Sequence, residues 1–189
     1  NGTYELTGGQ LDTPLTRIGT RGTGTFAHSG GLNNTDELRV GEHNQGEYTL
    51  SGAGELITTD LHVGHTDQGT FNQEGGSSTT GTLHVGHGDD TVGAYVHTGG
   101  NMHVVGAAVL GRGARSTATY AIGDGPESGI AQHIEGSLDI GLGEDSDGFY
   151  HVKGRVLPVG EEWSHAGSTT VDGEVRIGGA GAGRLRIDG

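Results

Sequence analysis

One short unit of sequence recurs from end to end of this chain, and its period limits the folds that can accommodate it. Each unit begins with an aromatic residue, alternates through a few positions to a glycine or glycine pair, and closes on an apolar residue followed by glycine. Tyr4, Phe26, Tyr48, Phe71, Tyr95, Tyr120 and Tyr150 open successive units, at steps of 22, 22, 23, 24, 25 and 30 residues. Ile18-Gly19, Val40-Gly41, Val63-Gly64, Val85-Gly86, Leu110-Gly111, Ile140-Gly141 and Ile177-Gly178 close them. Repeats of this length form solenoids, arrays or propellers, because one unit cannot bury its apolar face without a neighbour. A propeller blade takes ~40 residues and four strands, about twice what is present. Leucine-rich repeats share the period but need an L-x-x-L-x-L pattern, which is absent.

The alternation inside a unit is that of strands. In Gly46 to Gly69, Tyr48 and Leu50 share one face, with Glu47, Thr49 and Ser51 opposite. Leu61 and Val63 share another, with Asp60 and His62 opposite, and Leu56 opens a short third strand between them. No 3.6-residue apolar stripe occurs. The expected fold is therefore all-β: a single β-solenoid domain over residues 1–189, of seven to eight coils, regular with 22–25 residues each over 2–123 and longer and looped over 124–189. Stacked in register at ~4.8 Å, such coils give a rod roughly 35 to 40 Å long. The aromatic and closing apolar positions become inward columns. The positions equivalent to His62, namely Arg17, Arg39, His84, Val109, Asp139 and Arg176, are expected on a solvated face. Pro126, Pro158 and Trp163 fall in the added segments of the longer units, which belong in corner loops.

Composition fits this period and excludes several partners. Forty-one glycines and only 30% hydrophobic residues would suit a disordered chain. A solenoid tolerates that, because each coil buries only a thin apolar row and glycine serves its corners. A net charge of -14, with Lys153 the single lysine, argues against nucleic acid. No apolar run is long enough for membrane insertion. With no cysteine there is no disulfide and no thiolate ligand. A chain beginning with Asn1 rather than Met fits an exported protein whose leader has been removed, so an extracellular or cell-surface location is expected. Asn1-Gly2-Thr3 and Asn33-Asn34-Thr35 are formal glycosylation acceptors, a pattern that Thr-rich chains produce readily by chance.

Two groups of residues could hold a cation. His62, His65, His84 and His87 belong to one duplicated unit, Leu-His-Val-Gly-His, so stacking should bring four imidazoles to one face, a set suited to zinc, copper or nickel. Repetition of an outward polar residue is the simpler reading. Asp89 and Asp90, and Glu144, Asp145 and Asp147, sit in corner loops after the closing glycine, where carboxylates and carbonyls could hold calcium. They match no calcium-loop pattern, and a hydrated acidic turn is the simpler reading. No cofactor is called for. Motifs for a serine nucleophile, a phosphate loop or a zinc protease are missing. Asp139 and Arg176, on neighbouring coils, are the nearest thing to a polysaccharide-cleaving pair and are expected to be a surface ion pair instead.

The pattern Gly-x-Tyr/Phe-x-x-Ser/Thr-Gly … Leu-x-Val-Gly, seen in Gly24 to Gly41 and Gly46 to Gly64, resembles the tandem repeats of secreted bacterial β-solenoid proteins. These include autotransporter passenger regions with autotransporter-associated β-strand repeats and PEP-CTERM-type exported repeat proteins. The resemblance implies a right-handed parallel β-helix, exported and used for display, adhesion or matrix building. The first unit opens at once on Gly2-Thr3-Tyr4 and the last residues, Arg184 to Gly189, read as the start of an eighth unit, with no capping helix. Head-to-tail self-association is then expected. The expected function is a non-catalytic structural module of a filament, adhesin or matrix, with itself or other surface components as partners. A polysaccharide-active enzyme or glycan-binding module is the alternative.

Overall fold

Parallel pairing in one continuous register decides the architecture. The computed structural model describes residues 1–123, 130–153 and 168–188. Every strand in it lies parallel to its neighbours. Each of the first four coils is one long bent strand: β1 (Gly2–Ile18), β2 (Gly24–Val40), β3 (Gly46–Val63) and β4 (Gly69–Val85). The fifth coil is β5 (Val92–Val104) and β6 (Ala108–Leu110), and the sixth is β7 (Thr117–Ile122), β8 (Ala131–Ile134) and β9 (Leu138–Ile140). The seventh is β10 (Asp147–Lys153), β11 (Ser168–Val171) and β12 (Val175–Ile177), and β13 (Ala182–Asp188) starts an eighth rung. The path β1-β2-β3-β4-β5-β7-β10-β13 runs the length of the stack. The chain is thus the all-β solenoid that its period requires, with no helix among the described residues.

Register puts like on like. Tyr4, Phe26, Tyr48, Phe71, Tyr95, Tyr120 and Tyr150 occupy equivalent rungs. From Phe26 onward their rings stack at 4.6–5.1 Å and within 16° of parallel. Each such pair contributes about 0.5–1.5 kcal/mol beyond the area it buries. The closing residues from Ile18 to Ile177 form the second expected column. Leu11, Asn33, Leu56, Ser78, Met102, Gln132 and Thr169 form a third, on the middle side of the coil. Interior members are fully buried, whereas Tyr4 (48% exposed) and Ile187 (71% exposed) have a coil on one side only.

The lengthening of the late coils enters at a single corner. His97 and Asn101, four positions apart across their corner, pair respectively with Ile122 and Ala131, and these with Val152 and Ser168. Register is therefore identical on both sides of the added segments. Pro126, Pro158 and Trp163 lie outside the described residues.

The opposite corner needs glycine. Gly19, Gly41, Gly64, Gly86, Gly111, Gly141 and Gly178 all have φ between +69° and +80°, a region closed to most side chains. At Gly64 a Cβ would also lie 2.7 Å from the Val92 carbonyl oxygen and 2.8 Å from Gly93 Cα, both backbone atoms of the next coil.

The interior is not wholly apolar. Inward-facing His28, Gln73 and His97 occupy the rung two residues after the aromatic and are at most 1% exposed. They serve the tyrosine hydroxyls. His97 Nε2 lies 3.1 Å from the Gly100 carbonyl, which can only accept, so the proton is on Nε2 and Nδ1 accepts from Tyr120 Oη at 3.2 Å. His28 repeats this with Gly31 and Tyr48, and Asn33 donates to the same Tyr48 hydroxyl at 3.2 Å. Tyr95 donates to Gln73 Oε1 at 2.5 Å, and Tyr150 hydrogen-bonds both Gln132 and Thr169. Burial pushes the pKa of these phenols well up, so they remain donors. It also pushes His97 down to about 4 and lowers His28.

One expectation is corrected. The column Arg17, Arg39, His62, His84, Val109, Asp139, Arg176 forms as read. It is a solvated face only at its ends, where Arg17 and Arg176 are exposed; His62, Val109 and Asp139 are only 6%, 7% and 3% exposed, Asp139 lying against Ser137 and Arg176.

Two outcomes follow. Gly64→Ala should cost about 2 kcal/mol or more in urea unfolding, from left-handed strain plus the backbone clash. Gly123→Ala, whose Cβ would meet, among the described residues, only Thr98 Cγ2 at 3.7 Å, should stay within about 0.5 kcal/mol. For His97, the unfolded state gains its proton near the ordinary 6.5 and the folded state only near 4. Stability from this residue is present above pH 6.5 and is lost as pH falls towards 4, by a maximum on the order of 3 kcal/mol. His97→Gln, the residue that Gln73 already supplies at the equivalent rung, should flatten the stability-versus-pH curve over that window; an unchanged slope would show that His97 is not held neutral.

Candidate functional site

The duplicated unit brings four histidines together. β3 and β4 pair His62 with His84 directly. The turns after Val63 and Val85 carry His65 and His87 back beside them. His62 stacks on His84 at 5.0 Å and His65 on His87 at 5.2 Å, each pair within 9° of parallel. Across the pairs the rings meet edge to face, closest at 4.4 Å between His62 and His87. One ligand atom each of His62, His65 and His87 lies within 4.8 Å of the others.

The coil below supplies a charged floor. Glu42 follows Gly41 as His65 follows Gly64, so it lies beneath His65 and is only 4% exposed. Arg39, below His62, donates to Glu37 Oε1 and Oε2 at 2.7 and 2.9 Å and to Glu42 Oε1 at 3.0 Å. Glu37 Oε1 in turn lies 3.2 Å from His62 Nε2. On the coil above, Arg112 Nη1 sits 3.3–3.4 Å from the nitrogens of His87. Burial, then the neighbouring rings and Arg39, drive His62 down to about 2; burial first also takes His84 and His87 to about 4 and lowers His65. His62, His84 and His87 are thus neutral at neutral pH, and Nδ1 of His62, His65 and His84 has no hydrogen-bond partner.

A second convergence was not read from the sequence. His103 and His133 stack at 5.2 Å on the middle side. Each already has a carboxylate one coil on, Glu135 at 2.9 Å and Asp172 at 2.8 Å.

The candidate calcium residues are not brought together. The turn from Gly111 to Ser116 lies between the two acidic turns: Asp90 N–H donates to Ala114, and Arg115 N–H to Glu144. Arginines face two of the carboxylates, Arg115 holding Asp90 at 2.6–2.7 Å and Arg184 holding Asp147 at 2.9 Å. Asp89 accepts the Ala114 N–H at 2.8 Å. Asp90, Arg115 and Asp145 share the left-handed turn position, so charge alternates up this corner.

Asp139 and Arg176 do meet. Arg176 grips both carboxylate oxygens and Ser137 Oγ donates to Asp139 at 2.9 Å. The arginine hydrogen bonds lower the Asp139 pKa. A carboxylate held ionised on a guanidinium is a poor proton donor, and that guanidinium is a poor base.

No family model, curated protein or solved structure matches this chain. Likeness to autotransporter-associated repeats therefore rests on the motif alone. Of the residues missed in sequence, Glu37 and Glu42, the second carried a usable signal: Glu42 falls in the column of His65 and His87 once the closing glycines are aligned.

Arg176→Ala should lower the unfolding temperature more than Arg115→Ala, because it strands the buried Asp139, whereas Asp90 stays in water. Equal effects would mean that Asp139 is hydrated. Millimolar calcium should give no saturable rise in unfolding temperature.

Proposed function

We propose that the chain is a non-catalytic structural module of an extracellular filament, surface adhesin or matrix. The observation that carries this reading is the uninterrupted aromatic column, backed on both sides by parallel ladders. Load along or across such a stack is shared by every rung, because each coil is hydrogen-bonded to those beside it. The exterior suits an exposed location. Its net charge of -14 opposes lateral clumping, while Asp90–Arg115, Asp139–Arg176 and Asp147–Arg184 tie successive coils together.

Chemistry favours scaffold over catalyst. Asp139 and Arg176 satisfy each other, and the acidic turns are matched by arginines on the next coil. Partners are further repeats of the same kind or other surface components. The half-exposed Tyr4 and the exposed Ile187 are the last members of inward columns, so a repeat laid against either would extend the stack.

Sedimentation velocity and negative-stain microscopy across a concentration series test this. End-to-end species should appear, lengthening in steps of ~38 Å for eight rungs at ~4.8 Å, and Tyr4→Asp should suppress them. Monodisperse short rods at every concentration would remove self-assembly. Release of oligosaccharide from a glycan panel would overturn the non-catalytic assignment.

A further inference from the structure

We propose that His62, His65 and His87, with the Glu42 carboxylate as fourth donor, form a binding site for one divalent transition-metal ion of the zinc, copper or nickel class, which clips the second, third and fourth coils together. This inference is independent of whether the rod assembles or catalyses.

Unsatisfied atoms argue first. Among the described residues six buried side-chain polar atoms have no hydrogen-bond partner, and four of them are here: Nδ1 of His62, His65 and His84, and Oε2 of Glu42. Buried polar atoms are almost always paired, so a cluster of orphans points to a missing ligand. Two of them face each other, His65 Nδ1 and Glu42 Oε2 standing 3.8 Å apart. That is too long for a hydrogen bond and close to the ~3.4 Å between two ligands of one tetrahedral zinc with ~2.1 Å bonds.

Convergence argues second. Three imidazole donors already lie within 4.8 Å of one another, and Glu42 stands beside one of them, His65. Three nitrogens and one carboxylate favour zinc, copper or nickel over calcium or magnesium, which take oxygen. Glu37, 3.2 Å from His62 Nε2, is placed to orient that ring from outside the donor set.

Contrast with the second histidine set argues third. His103 and His133 are each closed by a carboxylate at 2.8–2.9 Å and are about two-fifths exposed. Each of these rings has a carboxylate partner, whereas Nδ1 of His62, His65 and His84 has none.

The test uses the whole chain stripped with a chelator. Zinc chloride and nickel chloride should raise the unfolding temperature by several degrees at one ion per chain by calorimetry, and calcium chloride should not. Cobalt(II) should give the ligand-field absorption of a four-coordinate site. His65→Ala/His87→Ala should abolish these effects, whereas His103→Ala/His133→Ala should retain them. Glu42→Gln keeps the side-chain volume and should weaken zinc at least ~tenfold while circular dichroism stays that of the parent. No shift with zinc, nickel or cobalt overturns the proposal. So does a shift that calcium reproduces, or one that survives in His65→Ala/His87→Ala or is lost in His103→Ala/His133→Ala.

Discussion

In-register stacking of parallel strands is the constraint on which everything else in this protein depends. At ~4.8 Å per rung, every side chain has as its nearest neighbours the residues at the same position in the coils above and below. Columns of aromatic or branched aliphatic residues gain from this arrangement, since identical shapes nest. Glycine columns gain as well: the left-handed corner at Gly41 and Gly64 brings backbone to backbone, against Gly69 and Gly93 and the residue before each, and the absence of a Cβ at the corner lets coils approach. A low-hydrophobicity chain can therefore bury a continuous core. The thin apolar row of one coil is completed by the next, not by a second layer.

The same constraint penalises charge. A column of like charges would place them at a rung's separation, where they repel even through water. Charged positions vary from coil to coil over most of the stack, although Arg17 pairs with Arg39 and Glu37 with Asp60. The corner turns run Asp90, Arg115, Asp145; the column through the histidines runs Arg39, His62, His84, Val109, Asp139, Arg176. Arg39 meets acids from its own coil, and Asp139 is gripped by Arg176 from the next. Histidine can repeat without that penalty, because it can stack as a neutral ring. Burial first, and then the neighbouring rings, lowers the affinity of His62 and His87 for protons, and these rings stay uncharged between Arg39 and Arg112.

Much of this was legible from spacing. Once Tyr48 is placed inward, its equivalents in every unit follow, and the pairing of His62 with His84 comes from counting between closing glycines. Burial of the outward columns was not legible. Strand parity says which side of the backbone a residue leaves from, not how far neighbouring side chains cover it. Asp139 leaves outward and is nonetheless enclosed by Ser137 and Arg176. The interior polar residues were missed for a related reason: His28, Gln73 and His97 break an apolar pattern within one coil, and their partners are tyrosine hydroxyls on the next.

That last arrangement explains why the aromatic column can mix Tyr with Phe. A tyrosine in a dry stack must find a partner for its hydroxyl or forfeit a hydrogen bond. The partners stand two residues after the aromatic, or on the middle side of the coil, and reach their tyrosine from the same coil or an adjacent one: His28 and Asn33 for Tyr48, Gln73 for Tyr95, His97 for Tyr120, Gln132 and Thr169 for Tyr150. Such a pairing distinguishes one coil from another in a stack whose apolar contacts are nearly interchangeable. A slip by one whole repeat would preserve aromatic-on-aromatic packing but set His28 against Phe71 in place of Tyr48, leaving a buried imidazole nitrogen and a phenol unpaired. The polar interior thus supplies the order of coils that the repeat by itself leaves degenerate.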